Sequence, residues 1–436
     1  MAVFKNVLIF VIFLAVALNK KVASQSDSTD FTPVYSTNAP DATTPPPPPP
    51  ATSGRPQTTA PTRRTTAPPP SPTSGSPLGL DRECACTVEK IWLDIVAVID
   101  ISKSITQEGL AQVQANLDTI VHRINVGSQA GYNSRISLVS FASNATTVAS
   151  FSAFNSSDDF DNTIFNINVN TADDKVNILS GLQTANSILG SSSVNPNRRR
   201  VVILYTSAYD NGGFKSPIPL AQQMREDNVK LITVAFAQSM GSSDVDAVSE
   251  LAYPGFAFTN NQTDLIDQMY TALCQANCFC PPNWRQFTAN YTNKYAYGYG
   301  NCLYYSSISA GWTAASFACR KEAPGAYLAS ESTQKKTDFN LAYSKDISVN
   351  NQYSYHIGLE YKNNQYSWQT SNSSVLSALG NSFKNWNPGY PNSNVGECVK
   401  VDKVFGQSYG WTNEKCWSAL NYICEVTTCD TDNYCA

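Results

Sequence analysis

Residues Trp386–Cys424 read WNPGYPNSNVGECVKVDKVFGQSYGWTNEKCWSALNYIC. Three cysteines punctuate this stretch, Cys398, Cys416 and Cys424, and an aromatic-rich run ending in Trp411 lies between the first two. Working outward, His356-Ile-Gly-Leu359 has strand character, and Trp312–Lys321 has helical character and carries Cys319. Tyr297–Tyr305 reads as a strand and Ser332–Tyr343 as a second helix. Residues 362–396 are irregular and rich in Asn, Ser, Gly and Pro, and a loop of that length inside a compact domain is usually functional.

This set of motifs closely resembles the C-type lectin-like domain, over about residues 280–426. The resemblance implies an α+β fold. It matches the family's W-I-G-L strand to His356–Leu359, with His in place of the usual Trp, and implies the disulfides Cys280–Cys302, Cys319–Cys424 and Cys398–Cys416. In calcium-binding members an E-P-N or Q-P-D triplet, a Glu near the inner cysteine and a W-N-D triplet hold Ca²⁺, which also ligates two sugar hydroxyls. Here the triplets are Tyr390-Pro391-Asn392 and Trp411-Thr412-Asn413, with Glu397 directly before Cys398. At most one carboxylate survives, whereas Ca²⁺ takes 6–8 oxygens and its affinity follows their charge. The resemblance therefore implies carbohydrate recognition without the ion. Tyr390 or Tyr409 would stack on a sugar face, and Asn392, Glu397 and Asn413 would hydrogen-bond it. Trp386 and Trp411 are expected core residues.

The preceding region has another rhythm. An apolar strand Ile91–Ile99 is followed by Gln107–Ile124, with Leu110, Val113, Leu117, Ile120, Val121 and Ile124 on one helical face. Strands Ile136–Phe141, Thr147–Phe151, Val201–Tyr205 and Leu231–Phe236 alternate with helices Val176–Leu189, Leu220–Asp227 and Leu265–Leu273. Such alternation predicts an α/β doubly wound, mostly parallel sheet whose ligands bind beyond the carboxyl ends of the strands. Asp100-Ile-Ser102-Lys-Ser104 stands there. With that motif, residues 88–274 resemble a von Willebrand factor type A domain, whose D-x-S-x-S loop holds Mg²⁺ together with a Thr from a second loop and an Asp after the middle strand. Val176 falls in the Thr place, with Thr171 or Asn177 as alternatives, and Ser207 falls in the Asp place, with Asp210 three residues on. The candidate metal set is thus Asp100, Ser102, Ser104, Ser207 and Asp210, a degenerate one. Neither Mg²⁺ nor Ca²⁺ is expected as a firm cofactor.

A chain of 436 residues has room for two or three domains. Residues 1–24 carry Lys5, the apolar run Val7–Leu18, and Val22 and Ser24 at the −3 and −1 positions of a cleavage site, the pattern of a signal peptide. Removing them takes the formal charge from −4 to −7, because Lys5, Lys20 and Lys21 leave with no acid. The single basic trio, Arg198–Arg200, makes nucleic acid a poor partner, and no stretch is expected to span a membrane. Residues 25–83 are rich in Thr, Pro, Ser and Ala, with six prolines at Pro45–Pro50, and are expected to form an extended, O-glycosylated or bare stalk. Twelve cysteines in a secreted chain read as disulfides. After the lectin-like assignment, Cys429–Cys435 closes a tail, residues 427–436, and Cys84 and Cys86 pair with Cys274 and Cys278 in either order, bracketing a first domain, 84–278, before a second, 279–426. Sequons at Asn144, Asn155, Asn261, Asn290 and Asn372 predict N-glycosylation. Gly406-Gln-Ser408-Tyr-Gly410 matches the G-x-S-x-G elbow, but it lies between paired cysteines and both histidines, His122 and His356, precede it. No enzyme is expected. The pairing of the two domains resembles secreted nematode lectin-like proteins, which implies extracellular recognition of glycans or glycoproteins, or alternatively protein–protein adhesion in a matrix without sugar binding.

Overall fold

The computed structural model describes residues 82–191, 198–209, 212–348, 353–372, 376–404, 406 and 408–435. The expected signal peptide and nearly all of the expected stalk lie outside them, as does Asp210.

The first domain runs β1 (Leu93–Asp100), α1 (Thr106–Arg123), β2 (Arg135–Phe141), β3 (Ala145–Ala149), α2 (Ser157–Ile164), α3 (Ile178–Ser191), β4 (Arg199–Thr206), α4 (Ile218–Glu226), β5 (Lys230–Ala235), α5 (Ser242–Leu251), β6 (Ala257–Thr259) and α6 (Leu265–Ala276). The sheet order is β3-β2-β1-β4-β5-β6, parallel except where β3 pairs antiparallel with β2. All eight residues of β1 are buried. Leu93, Ile95, Ala97 and Ile99 enter the apolar layer shared with α1 and α6, while Val96 and Val98 enter the opposite layer with α3, α4 and α5. A strand buried on both faces cannot alternate apolar with polar, so its sequence is a continuous apolar run. Two helices escape the sequence reading: α2, which buries Phe160 and Ile164, and α5, which buries Val248 and Leu251.

The second domain runs β7 (Arg285–Thr288), β8 (Gly298–Ala310), α7 (Trp312–Glu322), β9 (Tyr327–Leu328), α8 (Gln334–Ile347), β10 (Tyr355–Lys362), β11 (Gln365–Gln369), β12 (Leu376–Ala378), β13 (Cys398–Lys403), β14 (Tyr409–Glu414) and β15 (Leu420–Thr427). Its sheet follows β12-β11-β10-β15-β8-β7, with β13 and β14 branching from β10. The segment expected to be irregular from 362 onward is thus corrected: its first part folds back as β11 and β12, and the true loop is 379–397. Gly358 is required because a Cβ there would lie 2.2 Å from the Leu328 carbonyl oxygen, where the strand passes against β9. Trp411, fully buried, meets Trp368 and Trp386 edge to face at 5.4 and 5.6 Å. The core also holds charge: Lys336 and Glu425, both fully buried, pair at 2.7 Å.

Six disulfides join Cys84–Cys278, Cys86–Cys274, Cys280–Cys302, Cys319–Cys424, Cys398–Cys416 and Cys429–Cys435. The first two tie the ends of the first domain together and resolve the order left open above. Of the acidic C-terminal residues, Asp432 is exposed and Asp430 is not. Asp430 is fully buried, pairs with Arg82 and accepts the Asp432 and Asn433 N–H groups. Tyr434 packs on Trp92 at 5.0 Å and its hydroxyl accepts the Gly131 N–H at 3.0 Å, so the last residues clasp the base of the first domain.

Candidate functional site

Two places gather the candidate residues, one at the carboxyl edge of the first sheet and one under the long loop of the second domain.

At the first, β1 ends in Asp100, whose carboxylate is buried. Its Oδ1 accepts the Ser102 N–H at 2.8 Å, and its Oδ2 accepts the Ser207 N–H at 2.8 Å and the Ser207 hydroxyl at 2.6 Å. Burial pushes the Asp100 carboxyl above its usual range, and the Ser207 and Ser102 hydrogen bonds only partly oppose this. Ser104 is half-buried and its hydroxyl reaches the Asp174 carbonyl at 3.4 Å. In the second loop, Val176 is buried in the apolar layer and offers no oxygen. Asn177 uses Nδ2 on the Ser143 carbonyl and Oδ1 on the Ser180 N–H, and Thr171 is exposed. The structure therefore brings Asp100, Ser102 and Ser207 together as one hydrogen-bonded knot around a single carboxylate. A Mg²⁺ site wants octahedral oxygens and usually more than one charge nearby. This donor set does not fit that ion: its one carboxylate already has donors on both oxygens, and the second-loop position is aliphatic.

At the second, residues 385–397 cross the end of β14. The Trp411 N–H donates to the Asn385 carbonyl at 2.7 Å and the Asn387 N–H to the Trp411 carbonyl at 3.0 Å. The Tyr390–Pro391 peptide is cis. Gly396 lies so close to β14 that a Cβ would stand 2.2 Å from the Glu414 carbonyl oxygen. Asn413 is buried beneath the loop. Its Oδ1 accepts the Asn392 N–H at 2.7 Å, and its Nδ2 donates to the Gly396 carbonyl at 2.9 Å and the Tyr366 hydroxyl at 3.0 Å. The amide is spent inside the loop. Tyr366, absent from the sequence reading, completes this knot and packs on Trp386 at 4.9 Å; nothing local in the sequence marks it, because its partner is 47 residues away.

Tyr390 and Asn392 are half-buried and Glu397 is exposed, so these three share the loop's outer surface. Tyr409 does not join them. It starts β14, four positions before Asn413 and about 14 Å along the strand, and its ring faces Tyr353 and the Lys345 ammonium. Thr412 is buried. The calcium-type donor set has therefore lost its charge at Tyr390 and Asn413, and does not fit Ca²⁺. His356 is fully buried with Nε2 3.0 Å from the Ser418 carbonyl, and burial lowers its pKa, as suits a structural group. All five sequon asparagines are exposed.

The fold is that of two different domains in succession. Residues 94–272 match the von Willebrand factor type A domain and residues 308–426 the lectin C-type domain, so the chain carries one followed by the other. C-type lectin domain-containing protein 160 of Caenorhabditis elegans is 31% identical over 379 residues, which cover 83% of this chain and 57% of that protein; the chain thus spans little more than half of that relative. Lectin BRA-3 of Megabalanus rosa is 28% identical over 36% of this chain and 83% of its own length. Among solved structures, proximal thread matrix protein 1 from the mussel byssus aligns with 23% identity over 43% of this chain and 48% of that one, at a TM-score of 0.37.

Proposed function

We propose that this protein is an extracellular recognition protein whose lectin domain binds carbohydrate on glycans or glycoproteins without calcium. The observation that carries the reading is Asn413: a neutral amide ties Asn392 and Gly396 together from below, doing for the loop what an ion bridge does elsewhere. The outer surface of that loop then offers one aromatic ring, Tyr390, with the Asn392 amide and the Glu397 carboxylate as polar neighbours. A ring plus two or three hydrogen bonds is a weak site, and it gains strength from several copies on one surface. The amino-terminal pattern and six disulfides, which persist in oxidising compartments, support secretion. The exposed sequons are glycosylated in this reading, and no reaction is assigned to either domain.

The protein–protein alternative has its own support. Trp417 is 76% and Ile308 78% exposed on the lectin domain, large apolar side chains that a partner could cover. A glycan array probed with the whole protein in EDTA separates the readings. Saturable glycan binding that Tyr390→Ala abolishes supports the first. Absence of glycan binding in both calcium and EDTA refutes it.

A further inference from the structure

Away from both sites, helices α1 and α2 bring three ligand-type side chains together. Asp118 and His122 lie one turn apart on α1, and Asp161 faces them from α2. One nitrogen or oxygen from each lies within 4.8 Å of the others. His122 Nε2 is 3.4 Å from an Asp161 oxygen, and its Nδ1 is 3.2 Å from an Asp118 oxygen. A tetrahedral ion with bonds of about 2.0–2.1 Å holds its ligand atoms about 3.3 Å apart and takes one ring nitrogen, so ligand atoms within 4.8 Å of one another need only close in slightly to share it.

Three further observations favour an ion here. His122 Nδ1 also lies 3.1 Å from the Asp118 carbonyl oxygen of its own helix. Donation of that N–H leaves Nε2 with a lone pair toward Asp161, and such a backbone hydrogen bond fixes the tautomer and ring orientation of metal-bound histidines. The Asp161 Oδ1 atom is buried and has no hydrogen-bond donor. Finally, two carboxylates stand beside one another, with Asp158 adding to the negative field at His122, and among the described ion pairs His122 is the sole cationic partner of Asp118 and Asp161. The scaffold is firm. Gln114, buried in α1, donates to the Ile164 and Ile167 carbonyls at 2.9 and 3.0 Å, while Phe160 and Ile164 anchor α2 in the core.

We infer that Asp118, His122 and Asp161 form a surface binding site for a borderline divalent cation of the Zn²⁺ type, with water completing the coordination. One imidazole and two carboxylates with an open position is a donor set such ions accept, whereas an all-oxygen ion gains nothing from the imidazole. Three partly exposed ligands give moderate affinity, and protonation of His122 competes with it.

The test is zinc calorimetry on the untagged, EDTA-stripped whole protein at pH 7.5, repeated with Co²⁺ followed by its visible absorption. The expected result is one equivalent bound, at least about tenfold weaker in His122→Ala and in Asp161→Asn, and unchanged in Asp100→Asn. His122 is 45% exposed, so the alanine variant should keep the wild-type melting temperature. No zinc heat, binding undiminished in His122→Ala, or binding lost in Asp100→Asn would each overturn the assignment. The first result would mean that the trio shares only protons.

Discussion

Asp100 and Asn413 stand at matching points of two unrelated domains, the places where a cation would organise the loops around it. Both are buried and both are saturated by internal hydrogen bonds. The difference is charge. The first domain keeps its carboxylate and surrounds it with neutral donors; the second has exchanged the carboxylate for an amide that both donates and accepts. A desolvated charge resists ionisation and makes its domain sensitive to pH, whereas a satisfied amide does neither. Elsewhere the lectin domain does bury charge, but there Glu425 has Lys336 beside it.

The largest effect should come from removing the amide. Asn413→Ala leaves the Asn392 N–H and the Gly396 carbonyl without partners and should cost the lectin domain about 2–4 kcal/mol, given about 1–3 kcal/mol for each buried unsatisfied group. Chemical denaturation measures it, and a cost below about 1 kcal/mol would mean that the loop is held by packing alone.

Asn413→Asp sharpens the comparison by making the second site resemble the first. Loss of the two Nδ2 donations should cost about 1–3 kcal/mol in EDTA. The new carboxylate near Glu397 should also make the melting temperature respond to calcium. A variant indifferent to calcium would show that something besides missing charge disables the site.

A smaller effect concerns pH. The folded pKa of Asp100 is raised by burial, so the native state holds more protons than the unfolded chain between the ordinary Asp value of about 3.9 and the raised native value. By linkage, stability of the first domain should fall as pH rises through that window and recover as pH drops, opposite in sign to a salt-bridged carboxylate. Melting curves of wild type and Asp100→Asn across that range test this: the slope should vanish in the variant. An equal slope in both would assign it to other groups.

These contrasts explain what could be read from residues alone. The strands of the first domain were legible because a sheet buried on both faces writes Ile95–Ile99 and Val201–Tyr205 as unbroken apolar runs. Helices α2 and α5 were not read. At the sites, sequence marked the lost ligands Val176, Ser207 and Tyr390, since residue type is a local fact. It could not show that the Ser207 hydroxyl closes on Asp100 across 107 positions, or that Tyr366 backs Asn413. The buried fate of Asp430 was equally hidden, because its partner Arg82 is 348 residues away.

The account holds that Asp100 and Asn413 organise the two cation positions through hydrogen bonds in place of an ion. Its most direct test is calorimetric titration of Ca²⁺ and then Mg²⁺ into EDTA-stripped whole protein at neutral pH. The account predicts no saturable heat at millimolar ion from either position. Saturable calcium binding lost in Asn413→Ala, or saturable magnesium binding lost in Asp100→Ala, would contradict it.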